Sequence, residues 1–212
     1  MVKAIITGAS SGLGYEVGKQ LKDKNYEIIN VSRKMSEFED INCDLSKEED
    51  VLRTIEIINN KHNDFDVLIL NAGIMPLAKV GEVKTNIDNL FNINIISSLK
   101  IVNGLLEIAK KNKADIIFVG STASLKGYNE HGMYCASKHA VEGIVKSLQV
   151  ELKDEPVRVI GFHPGAFNSN LRGGVIKEGY MKPEDLAKVM INIIELPKSV
   201  EVSEIVINRK KV

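Results

Sequence analysis

The chain is predicted to fold as one α/β domain, residues 1–212, built on a doubly wound parallel sheet of about seven strands with helices on both faces. Short runs rich in Ile and Val recur, and they lack the strict alternation of half-exposed strands. Between them lie segments whose apolar residues repeat with helical spacing. Because strands and helices alternate, we expect right-handed crossovers between parallel strands.

Six runs have the composition of strands buried on both faces. A further short strand is expected around Phe38 to Cys43, which would bring the sheet to seven strands. In chain order the six runs are VKAIIT (2–7), EIINVS (27–32), DVLILNAG (66–73), ADIIFVGS (114–121), VRVIGF (157–162) and SEIVIN (203–208).

Five segments have helical periodicity, and two of them carry clear start signals. Ser46 precedes Glu49 by three residues, which is a capping-box spacing, and Pro183 is followed by two acidic residues that suit a first helical turn. The predicted helices are Leu13 to Lys24, Lys47 to Lys61, Asn86 to Lys111, Met133 to Lys153 and Pro183 to Leu196.

Composition excludes several classes of partner. The 28 basic and 28 acidic residues balance, and no basic block is present, so nucleic acid is not an expected partner. No apolar run approaches the roughly 20 residues of a membrane span. The first strand begins at residue 2, which leaves no room for a leader, so we expect a cytoplasmic protein without a membrane partner. Cys43 and Cys135 are expected to be free thiols.

The segment TGASSGLG, Thr7 to Gly14, joins the first strand to the first helix and is predicted to bind phosphate. Free backbone amides at a helix start attract an anion, and glycines allow a tight turn and a close approach of the chain. A tight turn without a ligand is the alternative, and the spacing Gly-x-x-x-Gly-x-Gly differs from the more general dinucleotide pattern. The candidate contacts are Gly8, Ser10, Ser11, Gly12, Leu13 and Gly14.

The end of the second strand reads NVSRK and favours NADP(H) over NAD(H). An acidic residue here usually binds the ribose of the unphosphorylated dinucleotide. Ser32 cannot repel a 2'-phosphate, and Arg33 can bind one through charge-assisted hydrogen bonds. The alternative is that Arg33 and Lys34 are ordinary solvated charges.

Two further strand ends carry candidate cofactor contacts. Asp44, followed by Leu45, can accept a hydrogen bond from the adenine amino group, or it can simply favour the start of the next helix. The NAG segment of Asn71, Ala72 and Gly73 allows the backbone to run beside a ligand, although in isolation it indicates only a turn.

The segment YCASK places Tyr134 and Lys138 four residues apart and therefore on one face of a helix. The spacing alone is also compatible with two solvated side chains. With TGASSGLG, NAG and YCASK in this order on alternating strands and helices, the sequence resembles the short-chain dehydrogenase/reductase family, in an NADP-preferring form, over nearly its whole length. The resemblance implies a Rossmann-type fold.

The resemblance also implies the catalytic residues. Ser121 lies thirteen residues before Tyr134, at the place of the family's catalytic serine, and Asn94 matches its helical asparagine. Tyr134 would act as general acid or base, with Lys138 lowering the pKa of the phenol and binding the nicotinamide ribose. Ser121 would orient the substrate oxygen, and the main chain of Asn94 would hold a water of the proton relay.

Four residues near the end of the sixth strand are expected on the nicotinamide side by the same resemblance: Pro164, Gly165, Phe167 and Ser169. Leu70 and Gly120 depart from the family pattern, in which a second asparagine and a second serine are usual. Residues 170–182 occupy the place of the family's substrate lid. Arg172 in that segment can meet an acid group, although a solvated charge is the simpler interpretation. The resemblance further implies a homodimer or homotetramer.

No metal site is predicted. His131, Cys135 and His139 recur at intervals of four, but the face carrying Tyr134 and Lys138 would be turned to the cofactor. The stripe is therefore expected to be a packing surface, and His163 is expected to be structural.

The leading hypothesis is an NADP(H)-dependent oxidoreductase that interconverts a small-molecule carbonyl and an alcohol. The alternative is a nucleotide-sensing binding protein of the same fold with little turnover. The presence of Asn94, Ser121, Tyr134 and Lys138 favours the enzyme, because a sensor does not need them.

Overall fold

The computed structural model describes residues 2–82, 84, 86–172 and 176–210, and the side chain of Arg172 lies outside this description. A seven-stranded, fully parallel sheet forms its centre, in the strand order β3-β2-β1-β4-β5-β6-β7. The predicted doubly wound sheet is thereby confirmed, including the weakly signalled third strand. The strands are β1 (Lys3–Thr7), β2 (Glu27–Ser32), β3 (Glu39–Asn42), β4 (Val67–Leu70), β5 (Asp115–Val119), β6 (Arg158–Pro164) and β7 (Glu204–Ile207).

Six α-helices occupy the two faces of the sheet within the described residues. They are α1 (Gly12–Lys22), α2 (Glu48–Lys61), α3 (Ile87–Phe91), α4 (Ser97–Asn112), α5 (Gly132–Glu151) and α6 (Pro183–Ile194). Alternate residues of each strand face opposite layers. In β1, Ile5 packs in one apolar cluster, while Ala4 and Ile6 pack in the other.

Helix boundaries differ from the predictions by one or two residues at several ends, and two of the predicted helices show a physical cause. The helix predicted over Asn86 to Lys111 is α3 and α4 joined by one π-helical turn, Asn92–Ile96. The prediction for α1 ran past its end at Lys22, because Asn25 takes a positive φ of 65° in the following turn.

The predicted capping box before α2 is wrong. The N-cap of this helix is Lys47, and the Ser46 hydroxyl donates instead to Oδ1 of Asp44 at 2.8 Å. A short polar side chain can bond to several neighbouring groups, so its spacing alone does not define its partner.

The order of strands reverses between β1 and β4, and the carboxyl ends of these strands define the crevice where such sheets bind ligands. The glycine-rich segment follows β1, the NAG segment follows β4, and Ser121 follows β5. The fold therefore brings the sequence motifs to one edge of the sheet. None of the described helices combines the length and apolar character that crossing a bilayer requires.

Candidate active site

A cavity of about 370 Å³ opens at the switch point between β1 and β4. Its wall includes most of the predicted cofactor contacts. It also includes Lys34, for which the sequence predicted no contact and only the possibility of a solvated charge. The predicted contacts that line it are Gly8, Ser10, Ser11, Gly12, Leu13, Ser32, Arg33, Asp44, Leu45, Asn71, Ala72, Gly73, Phe167 and Ser169.

The glycine-rich turn has the backbone shape that a dinucleotide phosphate requires. Gly8 and Gly12 have φ values of 76° and 60°, which side chains rarely adopt. A Cβ on Gly14 would lie 2.5 Å from the carbonyl oxygen of Gly8, so no larger residue fits there. Gly14 is buried and lines neither this cavity nor the smaller one beside it; it permits close contact between α1 and the turn. The residues present therefore fit a dinucleotide phosphate at the start of α1.

Asn71 and Thr7 hold this turn against the end of β4. The Asn71 side chain donates to the Thr7 carbonyl at 3.0 Å, and the Thr7 hydroxyl accepts from the backbone amides of Asn71 and Ala72 at 2.9 and 3.0 Å. Thr7 is buried, so these bonds are shielded from water. They fix the distance between the two walls of the cavity.

The end of the larger cavity beside β2 and β3 carries both a cation and an anion. Arg33 is exposed there, while Asp44 is half-buried, with Oδ1 accepting from the amide and hydroxyl of Ser46 at 3.1 and 2.8 Å. Burial tends to raise the pKa of Asp44, but the hydrogen bonds from Ser46 and the charge of Arg33 outweigh it and lower that pKa overall. Asp44 is thus an ionised acceptor at neutral pH.

A second cavity of about 130 Å³ adjoins the first, since both are lined by Asn71, Gly73, Phe167 and Ser169. Ser121, Tyr134 and Lys138 meet in it, as do Pro164 and Gly165. The Lys138 ammonium lies 5.8 Å from the centre of the Tyr134 ring and donates to the Val119 carbonyl at 2.7 Å. The two side chains therefore face the same space, as their helical spacing predicts.

Lys138 is almost completely buried, with 5% of its surface exposed. Burial lowers its pKa to about 8, because the charged form loses hydration. At pH 7 the ammonium is still mostly protonated, so it stands as a positive charge beside the phenol.

Asn94 lines neither of these cavities. Its side chain makes hydrogen bonds to residues behind their walls. Its Oδ1 accepts from the Ile74 amide at 2.8 Å, and its Nδ2 donates to the Ile74 carbonyl and to the Ser137 hydroxyl, both at 3.0 Å. Ser137 in turn donates to the Tyr134 carbonyl at 2.8 Å. These bonds link the loop after β4, the π-helical turn and the first part of α5.

The Ser121 side chain is half-buried at the end of β5. Its hydroxyl oxygen accepts from the Ala123 amide at 3.1 Å, and the Ser121 amide donates to the Ser124 hydroxyl at 3.2 Å. This reciprocal cap fixes the backbone of the turn and leaves the proton of the Ser121 hydroxyl available to a ligand.

The departure at Gly120 has a steric cause. A Cβ at this position would collide with Nδ1 of His163, whose ring is completely buried behind the turn. Burial lowers the pKa of His163, against the opposing influence of Glu142 and Glu204. The other departure, Leu70, is buried in the apolar cluster shared by α2, α4 and α5.

The predicted packing stripe is correct only in part. Cys135 is buried, and His139 is exposed with Nδ1 2.8 Å from the Cys135 carbonyl. His131, however, lines the small cavity, so its assignment to a packing surface is wrong. It lies three residues before Tyr134, at the start of α5, and this i−3 spacing is the signal that sequence reasoning missed.

Residues around the substrate end were also missed, because they lie in loops without a recognisable pattern. Met75 follows the NAG segment, and Tyr128 precedes α5 and donates to the Thr122 hydroxyl at 2.8 Å. The predicted lid follows Ser169 and ends near Met181, whose carbonyl accepts from the Asn168 amide at 3.0 Å. Residues 173–175 of that segment and the Arg172 side chain lie outside the described residues.

This sheet order, a glycine-rich turn at its switch point and a Tyr-Lys pair in the adjoining cavity define a nucleotide-binding fold of oxidoreductases. The family model described as short chain dehydrogenase matches residues 2–178. The chain therefore belongs to the short-chain dehydrogenase family and is an oxidoreductase of that family, whose members act on small molecules.

Curated relatives match the chain over almost its full length. An uncharacterized oxidoreductase of Listeria monocytogenes is 28% identical over 231 residues, covering 94% of this chain and 93% of the relative. The farnesol dehydrogenase of Aedes aegypti is 24% identical and covers 96% of this chain and 94% of its own.

Among solved structures, the alcohol dehydrogenase of the archaeon Thermococcus sibiricus, complexed with 5-hydroxy-NADP, superimposes with a TM-score of 0.91. It is 23% identical, and the match covers 100% of both chains. The 3-ketoacyl-(acyl-carrier-protein) reductase of Brucella melitensis, complexed with NADH, gives 0.89 at 23% identity over 98% and 96% of the two chains. At this identity the likeness supports the fold, and these two neighbours differ in the dinucleotide they hold.

Proposed function

We propose that this protein is an NADP(H)-dependent reductase or dehydrogenase that interconverts a small carbonyl compound and an alcohol, with Tyr134 as general acid and base. The observation that carries the proposal is the meeting of Ser121, Tyr134 and Lys138 in one small cavity that adjoins the glycine-rich cavity. When bound, the dinucleotide supplies or accepts the hydride.

Each of the four residues has a distinct task in this proposal. Tyr134 donates a proton to the substrate oxygen, and the nearby Lys138 charge makes the phenol a stronger acid. Ser121 donates a hydrogen bond to the same oxygen and orients it. Asn94 is a positioning residue, because its side chain braces Ile74 and Ser137.

The small cavity favours a modest substrate. At about 130 Å³ it is well below the usual range of drug-sized sites, and Met75, Ala123 and Leu171 supply apolar wall. We therefore propose short ketones, aldehydes and 3-oxo acids as the panel in which a substrate is to be sought. We also propose a homodimer or homotetramer, on the family resemblance, and no nucleic acid partner, on the balanced charge. A cytoplasmic location without a membrane partner belongs to the same proposal.

The test is to mix the protein with NADPH and this panel while following the loss of NADPH absorbance. We expect oxidation of NADPH with at least one carbonyl, and a fall of at least about 100-fold in turnover for Tyr134→Phe, the usual contribution of acid-base catalysis. Cofactor affinity should be unchanged in this variant, since only the hydroxyl is lost and the aromatic ring remains. Tight NADPH binding without turnover across the panel would refute the enzyme and favour the nucleotide sensor.

A further inference from the structure

Behind the candidate active site, α5, β6 and β7 bring one imidazole and two carboxylates together. Nε2 of His163 lies 2.8 Å from Oε2 of Glu142 and 3.8 Å from Oε1 of Glu204. The three ligand atoms all lie within 4.8 Å of one another. His163 is completely buried, Glu142 is nearly so, and Glu204 is partly exposed at the start of the edge strand.

The contact between His163 and Glu142 is not an ordinary hydrogen bond. Nε2 of His163 and Oε2 of Glu142 make no hydrogen bond of acceptable geometry within the described part of the chain. The distance of 2.8 Å between Nε2 and Oε2 is short enough for such a bond. The angle at the nitrogen is therefore what prevents it, because the carboxylate oxygen lies away from the direction of the nitrogen's proton or lone pair. Buried polar atoms without a partner are rare, and a bound ion is one of the arrangements that would satisfy them.

Space for the imidazole is built into the neighbouring strands. A Cβ on Gly120 would collide with Nδ1 of His163, and a Cβ on Gly161 would lie 2.7 Å from Nε2. Glycines at these two positions allow the ring to stand between the ends of β5 and β6 with Nε2 towards the carboxylates. The position of His163 is therefore fixed by the backbone around it.

We propose that Glu142, His163 and Glu204 bind one divalent transition-metal ion, with Zn²⁺ as the best match. Tetrahedral ligands at about 2.0–2.2 Å from zinc lie roughly 3.4 Å apart, and the observed separations of 2.8 and 3.8 Å lie on either side of this value. One histidine and two carboxylates leave a fourth position for water at the exposed side of Glu204.

The charges around the cluster leave one carboxylate oxygen for the ion. Lys146 lies 3.0 Å from Oε1 of Glu142, so Oε2 can bind a metal without displacing that lysine. The Lys138 ammonium, one helical turn before Glu142, opposes a second cation. The imidazole ligand and the small number of oxygen ligands favour Zn²⁺ over Mg²⁺ or Ca²⁺, which prefer oxygen ligands in larger number.

The ion would join three elements that sequence alone does not connect. It would connect α5, which carries Tyr134 and Lys138, with β6 and the edge strand β7. This site differs from the His131, Cys135 and His139 stripe, for which no metal was predicted, and it does not depend on the proposed reaction.

The experiment measures Zn²⁺ binding by chelator-treated protein with titration calorimetry and thermal unfolding. We expect one Zn²⁺ per chain and a higher melting temperature with Zn²⁺, because an ion that binds only the folded state stabilises it. Glu204→Gln, at the partly exposed end, should weaken binding at least about tenfold and reduce the rise in melting temperature at the same Zn²⁺ concentration. Co²⁺ in place of Zn²⁺ should give a visible spectrum, and this spectrum should change in Glu142→Gln.

Glu39→Gln is the matched control. Glu39 lies on β3, the edge strand opposite β7, and forms another group of possible ligands with Glu27 and His62. It should leave Zn²⁺ affinity unchanged. Absence of Zn²⁺ binding in the wild type, wild-type affinity in Glu204→Gln, or a loss of binding in Glu39→Gln instead would each overturn the proposal.

Discussion

Lys138, proposed above as a catalytic residue, carries a buried charge that opposes folding. Its charge is nearly buried, and burial lowers its pKa from an ordinary value near 10.5 to about 8. The unfolded state therefore binds more protons than the folded state between these two pH values. Below pH 8 the folded protein bears the full penalty of a buried ammonium, and this penalty disappears as the pH rises towards 10.5.

We predict that Lys138→Met stabilises the fold while it abolishes turnover. The gain in unfolding free energy at pH 7 should be about 1–3 kcal/mol, since each pKa unit corresponds to about 1.4 kcal/mol and the lost hydrogen bond to Val119 offsets part of it. Denaturant unfolding at a series of pH values measures this. The advantage of the variant should shrink from pH 8 to 10.5, and an equal advantage throughout that range would contradict the burial argument.

Arg33 is the residue on which the proposed preference for NADP(H) depends. It lines the larger cavity at the end of β2, where Ser32 replaces the acidic residue expected for NAD binding. We predict that Arg33→Ala weakens NADPH binding by about 10-fold or more and leaves NADH binding nearly unchanged, because only NADPH carries the 2'-phosphate. Fluorescence titration of both cofactors measures the ratio. Lys34→Ala tests whether the neighbouring lysine shares the task, and an unchanged ratio in Arg33→Ala would refute the assignment.

At the level of elements, two helical glycines make a matched pair. A Cβ on Gly14 in α1 would meet the Gly8 carbonyl oxygen at 2.5 Å, whereas one on Gly143 in α5 meets nothing within 4 Å. We predict that Gly14→Ala lowers the unfolding free energy by about 1–3 kcal/mol and impairs cofactor binding, because the turn must shift. Gly143→Ala should raise stability by about 0.5–1 kcal/mol. Thermal and denaturant unfolding measure the stability of both variants. Equal effects of the two substitutions on stability would contradict the steric argument for Gly14.

Elements with a strong periodic signal were predictable, and their irregular details were not. The strand runs located all six well-signalled strands, because parallel strands buried on both faces need continuous apolar sequence. The π-helical turn at Asn92–Ile96 has no such signal, since one extra residue in a turn leaves the apolar stripe nearly intact. Ser46 shows the same limit at a helix start, because its hydroxyl has two competing partners nearby.

The candidate site was predictable to the same extent as the fold: where a sequence motif carries the residue. Residues carried by motifs could be placed from sequence, because the sheet brings the ends of β1, β4 and β5 to one edge. His131, Met75 and Tyr128 reach the small cavity through loop geometry and tertiary contacts. Their positions depend on the folded backbone, which no local pattern encodes.

For the molecule as a whole, the end of the sheet opposite the active site is held by a buried ion pair. Arg158 at the start of β6 donates to both carboxylate oxygens of Asp115 at the start of β5, at 2.7 and 2.6 Å. Asp115 is completely buried and also accepts from Lys198 at 2.7 Å. The remaining Arg158 donors bond to the carbonyls that follow α6, including those of Leu196 and Val200. One guanidinium thus ties the sheet to the end of α6.

We predict that Arg158→Met lowers the unfolding free energy by about 3–5 kcal/mol, because it removes the bidentate partner of a fully buried carboxylate and the hydrogen bonds to the carbonyls of Ile194, Leu196 and Val200. Chemical denaturation measures the loss, which should persist in high salt, since buried pairs are weakly screened.

Lys198→Met should cost less, because the Lys198 side chain is half exposed. Lys188→Met, which removes an exposed pair with Asp185, should change stability by less than about 0.5 kcal/mol. If Arg158→Met were no more harmful than Lys188→Met, the pair would have no structural role. Any Arg158→Met protein that remains folded should keep its cofactor affinity, because the Asp115–Arg158 pair and the candidate active site lie at opposite ends of the same strands.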